Sequence, residues 1–349
     1  MSAATTERAT REEEEEEAEA LRSYQLFSEM SKASILAEAQ NGDEHTLDVT
    51  VQSHIPVLTF RYMNTTFPLS VMEAEMHNLW NTVIQAAKYW SASNAKHDTL
   101  VRHILSARAR GTLTRPLATI EADGDISDER LDVILCSDGG EFWSDLPFLG
   151  QDLVEEWTER YYRADYCDEI DLRFNLAAFI GRLISVGIHR GPAACVLSLF
   201  RETLETPRHL VSAEASINAS PGTGDTTKDT RLPVNSLIHA LLQMLRHSEG
   251  RIIDLSNGDG VDMAEATRPP PQVSSLGELA IQSGLSSPGF SPSRWRFWIQ
   301  RLEELAKCEV AEIVESAEVC LNYMRYASES VYGPLAGKPV WLTDPLPED

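Results

Sequence analysis

The segment Ser291-Pro-Ser-Arg-Trp-Arg-Phe-Trp-Ile-Gln-Arg-Leu-Glu-Glu-Leu305 leaves this chain little choice of local structure. Ser291 is a helix N-cap residue, and Pro292 falls at the first helical position, where the N–H that proline lacks has no partner to lose. Trp295, Trp298, Ile299, Leu302, Leu305 and Ala306 then recur along one helical face, with Arg, Gln and Glu between them. Two indoles on one stripe carry a large apolar area, so this helix is predicted to anchor a core.

The same period recurs along the chain. Val310, Ile313, Val314, Ala317, Cys320, Leu321 and Met324 form the next apolar stripe, so the two helices read as an αα-hairpin turning near Lys307 to Glu309. Val71 to Trp90 carries Met72, Met76, Leu79, Trp80, Val83 and Ala87 on one face. Asp98 to Arg110 is a shorter helix closed by Gly111, and Leu149 to Ala164 places Leu153, Trp157 and Tyr161 at four-residue intervals. Leu172 to Gly187 is the most apolar segment, and its Ala177, Ala178 and Gly181 predict a closely approaching neighbour. Pro192 to Pro207 and Pro233 to His247 are two further helices. Leu21, Tyr24, Phe27, Met30 and Leu36 predict a first amphipathic helix over Leu21 to Ala39. Residues 47–63 read differently: Leu47, Val49 and Val51 alternate with polar residues and Pro56 interrupts the next run. A short strand pair or an irregular arm is expected there.

These patterns predict a mainly α protein of roughly nine helices, bundle-like and in a single domain over residues 21–332. Surface loops are expected at 112–140, 206–230 and 251–276. Residues 1–20, with the run Glu12 to Glu17, are expected as a disordered acidic tail, and 333–349 as an irregular C-terminal tail.

Charge excludes whole classes of partner. The 349 residues carry a formal charge of −24. Such a surface repels phosphate backbones, whose binding comes from Lys and Arg displacing counterions, so no nucleic-acid partner is expected. No apolar run approaches the roughly 20 residues a membrane span needs. The start lacks a secretory h-region, and the five cysteines form no close pair. A cytoplasmic protein with reduced thiols is the expectation.

Chemical signatures fail on inspection. Asp123-Gly-Asp-Ile-Ser127 opens like a calcium loop, but Asp128 and Ile134 occupy positions that need glycine and a bidentate carboxylate. Gly222-Thr-Gly-Asp-Thr-Thr-Lys228 lacks the Gly-Lys-Ser/Thr ending of a phosphate loop, and Gly284-Leu-Ser-Ser-Pro-Gly289 has proline where a nucleophile elbow has glycine. No histidine pair has the i, i+4 spacing of a helical metal site. No cofactor and no metal are expected. Asp168 and Asp171, sharing a helical face, are the one candidate for magnesium and diphosphate; their simpler role is to complement the positive start of the following helix. Arg294, Arg296 and Arg301 are weighed as an anion clamp against local pairing with Glu303 and Glu304 or stacking on the indoles.

Leu79-Trp80 to Lys88, Phe142-Trp-Ser-Asp-Leu-Pro147, Phe174-Asn-Leu-Ala-Ala-Phe-Ile-Gly-Arg-Leu183 and Arg294-Trp-Arg-Phe-Trp298 occur in an order and spacing that resemble the fungal domain of unknown function 3632 family. The likeness spans about residues 71–306. It implies an intracellular helical protein of filamentous fungi, similar to hypothetical proteins sometimes encoded among secondary-metabolism genes, and carries no catalytic residues to transfer. The shared strings are aromatic and aliphatic, which makes them packing elements; Asp145 and Asn175 are the polar residues weighed within them.

The functional expectation is a non-catalytic or accessory factor acting through a protein partner or an apolar small molecule, linked to fungal secondary metabolism. The alternative is a cofactor-free cyclase or isomerase with an apolar pocket between helices. Asn175, Arg182, His239 and Trp295 are the residues expected beside such a pocket.

Overall fold

The computed structural model describes residues 22, 28–65, 67–116, 131–160, 162, 170–211, 231–248, 250–257 and 271–332. The expected acidic and C-terminal tails, the Asp123 loop opening, the Gly222 string and most of loop 206–230 lie outside these residues. The fold is mainly helical and falls into two compact units. One takes the described residues of Met1–Trp90 and Asn94–Asp152, the other those of Ser91–Ser93 and Leu153–Asp349. No composition shift in the sequence marks this division, which passes through a helix.

The first unit contains α1 (residues 28–40), α2 (Glu44–Asn64), α3 (Leu69–Tyr89) and α4 (Lys96–Arg108). Helix α2 corrects the expectation of a strand pair or irregular arm at 47–63. Its buried residues Leu47, Val51, Ile55, Leu58 and Tyr62 are spaced three or four apart, the helical period, whereas Val49 is 43% exposed. The alternation at 47–51 is little more than one helical turn, with Leu47 and Val51 on the buried face and Val49 on the other. Asp43 caps α2 by accepting from the Thr46 N–H at 3.0 Å, and Pro56 sits inside the helix on its exposed side. A two-stranded sheet does exist, but within the expected loop 112–140. There β1 (Arg115–Pro116) pairs antiparallel with β2 (Leu131–Asp132). Of the face expected for the first helix, Leu21, Tyr24 and Phe27 lie outside the described residues, and the other two positions are corrected. Met30 is 73% exposed and Leu36 lies outward, while Ser28, Ile35 and Ala39 are buried.

Phe142-Trp-Ser-Asp-Leu-Pro147 is the core plug of this unit. Trp143, Leu146 and Phe148 hold positive φ values of 91°, 51° and 65°, backbone that side chains resist. Buried bonds hold it there. The Trp143 indole donates to Thr59 Oγ1 at 2.9 Å, the Trp80 indole donates to the Pro147 carbonyl at 2.7 Å, and the two indoles meet edge to face. Phe142 stacks on Tyr62 at 4.2 Å. The Asp145 side chain accepts from the Glu141 N–H, so it shapes the loop.

The second unit begins as α5 (Leu149–Arg160) passes into it. Helix α6 (Ile170–Ser185) is its centre, packed mainly on α8 (Val234–His247). Helix α7 (Pro192–Phe200) runs into a π-helical turn, Arg201–Glu205. Two short helices, α9 (Ile252–Asn257) and α10 (Pro271–Ser274), correct the expectation of plain loop at 251–276, and α11 (Glu278–Gln282) follows. The hairpin of α12 (Pro292–Leu305) and α13 (Ala311–Tyr332) forms as its stripes predict, with Ser291 accepting from the Arg294 N–H at 3.2 Å.

At Gly181 α6 and α8 approach closely. A β-carbon there would stand 2.6 Å from the Met244 carbonyl oxygen and 3.1 Å from the His247 β-carbon. Helix propensity favours alanine over glycine by about 0.5–1 kcal/mol, but forcing two packed helices apart costs about 1–3 kcal/mol. Overpacking wins, so Gly181→Ala is expected to lower the thermal midpoint, read by circular dichroism.

Candidate functional site

The second unit holds a cleft of about 410 Å³ lined by Leu245, Arg246, Ser248, Gly250, Ile252, Trp295, Tyr323, Tyr326 and Ala327. The end of α8 forms one wall, α13 the other and α12 the floor. Gly250, at φ 79°, turns the chain beside Ala327, where its β-carbon would approach to 3.5 Å. Trp295 is 97% buried by its neighbours; its indole donates to Ser328 Oγ at 3.1 Å and lies against Phe200 and Trp298. Tyr326, 69% exposed, stands at the mouth. Arg246 and both tyrosine hydroxyls make no hydrogen bond or ion pair among the described residues. The cleft therefore offers aromatic walls and a few unspent polar groups, the composition of a small-molecule site.

Of the four residues expected beside a pocket, only Trp295 lines this cleft. Asn175 and Arg182 come together elsewhere in the unit, on one residue: Asn175 Oδ1 accepts from the Ala92 N–H at 2.7 Å, and Arg182 donates to the Ala92 carbonyl at 3.0 Å. Asn175 is thus a buried amide that serves the Ser91–Ser93 segment. His239 lies edge-on to Phe174 with ring centroids 5.7 Å apart. Asp171 is exposed in the first turn of α6, and Asp168 lies outside the described residues.

Arg294 is no anion clamp, and its partner is not local. It is fully buried and grips Glu205, equally buried, through two parallel bonds of 2.6 and 2.9 Å. Its other N–H groups donate to the carbonyls of Ser274, Ser275 and Gly289. Glu205 also accepts from the Trp298 indole at 2.6 Å and from the Gly277 N–H at 2.7 Å. Arg301 does pair locally, with Glu304.

The first unit holds a second cleft, of about 370 Å³, among α1, α2 and α3. Its lining joins polar side chains to two aliphatic ones: Ser31, Ser34, Ile35 and Glu38 from α1, Thr46, Thr50, His54, Val57 and Arg61 from α2, Glu75, Asn78 and Thr82 from α3. The sequence reading missed it because it denied α2 its helix; once the period is helical, Thr46, Thr50, His54 and Arg61 fall on one face. Arg61 pairs with Glu75 Oε1, while Glu75 Oε2 is buried without a donor among the described residues. Burial, helped by the Arg61 charge, holds His54 below the usual histidine range, and the imidazole makes no hydrogen bond among the described residues.

The four described cysteines are free thiols. Burial pushes Cys136 up to about 12 and raises Cys195 and Cys320 further, so these three stay protonated and inert near neutrality. No described helix is long and apolar enough to cross a membrane.

These features define a helical protein with an aromatic cleft and a separate polar one. The chain belongs to the DUF3632 family, described as "Protein of unknown function (DUF3632)", which it matches over residues 80–302, more than half its length. It is 28% identical over 253 residues to the oxopyrrolidines biosynthesis cluster protein G of Penicillium oxalicum, covering 71% of this chain. The chain spans 64% of the length of that relative. No solved structure matches.

Two outcomes follow from this geometry. Glu205→Gln leaves the buried Arg294 cation without its anion and is expected to destabilise the second unit by about 3–5 kcal/mol, measured by denaturant unfolding. His77 accepts no such isolation: its Nδ1 lies 2.8 Å from Asp152, and that hydrogen bond raises it above the ordinary value of 6.5. The pair's stabilisation is complete below 6.5 and is lost as pH rises through the raised folded value. Thermal midpoints across that window are expected to fall with pH in the wild type more steeply than in His77→Gln.

Proposed function

We propose that this protein is an accessory factor of fungal secondary metabolism that binds a ring-bearing, largely apolar small molecule in the Trp295 cleft. The observation that carries the reading is the lining of that cleft. Trp295, Tyr323 and Tyr326 supply flat apolar walls, and its volume of about 410 Å³ falls within the range of small-molecule sites. The relative from Penicillium oxalicum, whose printed name places it in an oxopyrrolidines biosynthesis cluster, supports the pathway part. Free buried thiols suit a reducing compartment, which supports a cytoplasmic location. A cofactor-free cyclase or isomerase working in the same cleft needs an acid–base group there. The lining offers a guanidinium and two phenols but neither imidazole nor carboxylate, so binding is favoured over proton transfer at this site.

Tyr326→Ala removes a cleft wall from an exposed position and leaves the core intact. Anilinonaphthalene sulfonate, an aromatic probe that brightens in apolar clefts, is expected to bind the wild type and to bind Tyr326→Ala about fivefold more weakly, the worth of one aromatic contact. In the host, deleting the gene is expected to change the secondary-metabolite profile, and the wild-type copy but not Tyr326→Ala to restore it. An unaltered profile on deletion would sink the proposal.

A further inference from the structure

We propose that the polar cleft among α1, α2 and α3 is a proton-transfer site for a carbonyl compound, with His54 as the base and Arg61 holding the oxygen that becomes negative. The site lies in the first unit and does not depend on the Trp295 cleft. Of its lining, only Thr82 falls within the family-matched residues 80–302, so the match assigns it nothing.

Three observations converge. First, His54 faces a cavity of about 370 Å³ with no hydrogen bond among the described residues, in a lining where most polar neighbours are already spent. Thr46 and Thr50 bond to Asp43 and to the Thr46 carbonyl, and Thr82 bonds to the Asn78 carbonyl. The charged and titratable groups on the three walls are Glu38 from α1, His54 and Arg61 from α2, and Glu75 from α3. Burial and the Arg61 charge keep the imidazole neutral at neutral pH, the form that accepts a proton.

Second, Arg61 is anchored but not consumed. One of its terminal nitrogens is held by Glu75 Oε1, its side chain remains 44% exposed, and its other N–H groups make no bond among the described residues. Glu75 is the positioning residue that aims this guanidinium. A cation beside a base stabilises an anion formed by proton removal, which is how an enolate is made without a cofactor.

Third, Glu75 itself is incomplete. It is 95% buried, and its Oε2 has no donor among the described residues. A buried charged oxygen left in that state costs about 1–3 kcal/mol or more. A ligand N–H or O–H would supply what the fold withholds.

The substrate class this arrangement takes is a carbonyl compound with an acidic hydrogen on the adjacent carbon and a donor group nearby. His54 takes that proton, the C–H electron pair moves into the new carbon–carbon double bond, and the carbonyl electrons move onto the oxygen facing Arg61. The imidazolium then returns its proton to a different position, and the net result is an isomerisation. Atoms and electrons balance without any co-reactant.

The test uses the full chain and nitrobenzisoxazole, a probe whose C–H proton is removed by any buried base as its N–O bond breaks, a nitrile forms and a coloured phenolate leaves. The wild type is expected to catalyse this about tenfold or more faster than free imidazole at equal concentration. The rate should rise with pH through a transition below 6.5, vanish in His54→Gln and persist in His45→Gln, a variant of the exposed histidine on the same helix. Should His54→Gln melt early, wild type treated with diethyl pyrocarbonate gives the same answer: loss of rate must track modification of His54 in the peptide map. A rate no greater than that of imidazole, or one that survives loss of His54, overturns the proposal. Neither result bears on anilinonaphthalene sulfonate binding at the Trp295 cleft.

Discussion

The second unit depends on one buried ion pair. Arg294 and Glu205 are both removed from water, and removing two charges from water is worthwhile only when geometry is good and no donor or acceptor is left over. Here the arginine gives its protons to both carboxylate oxygens and to three carbonyls, while the carboxylate also receives an indole and a backbone N–H. The network ties α12 to the π-turn after α7 and to the 274–277 segment. Gly277 shows how tight it is, since a β-carbon there would stand 2.5 Å from that of Glu205. The π-turn itself, an extra residue in a helix, is the device that brings Glu205 round to face Arg294.

The first unit uses the same device in a neutral form. Its strained loop would relax if free, and it is held because two indoles have nowhere else to place their N–H groups. In both units, then, tryptophan acts as a large apolar body with one directional bond. That explains why the strings shared with the family are rich in tryptophan.

The two clefts differ in what their linings offer. The Trp295 cleft has aromatic surface, a guanidinium and two phenols; the α1–α3 cleft has an unspent imidazole, a guanidinium and a half-satisfied carboxylate. One suits recognition and the other suits acid–base work, because burial of apolar area and preorganised charge make different demands on a lining.

Helix positions could be read directly from residue order, because an apolar stripe at the helical period is a local property: α3, α6, α8, α12 and α13 form where the stripes lie, and Gly181 sits at the close approach expected of it. The same reasoning failed on α2, where five residues of alternation and one proline imitated a strand, and it chose the wrong face for α1, because either face of a short amphipathic helix carries apolar residues. For Arg294 the residue order offers nearby acids or the indoles; it does lie over the Trp298 ring, 5.6 Å from the centroid, but its ionic partner is 89 residues away. Only folding in three dimensions selected Glu205, gathered Asn175 and Arg182 onto Ala92, and brought His54 and Glu75 to the lining of one cleft. Pairing between distant polar groups depends on where whole helices come to rest, and no local period encodes that.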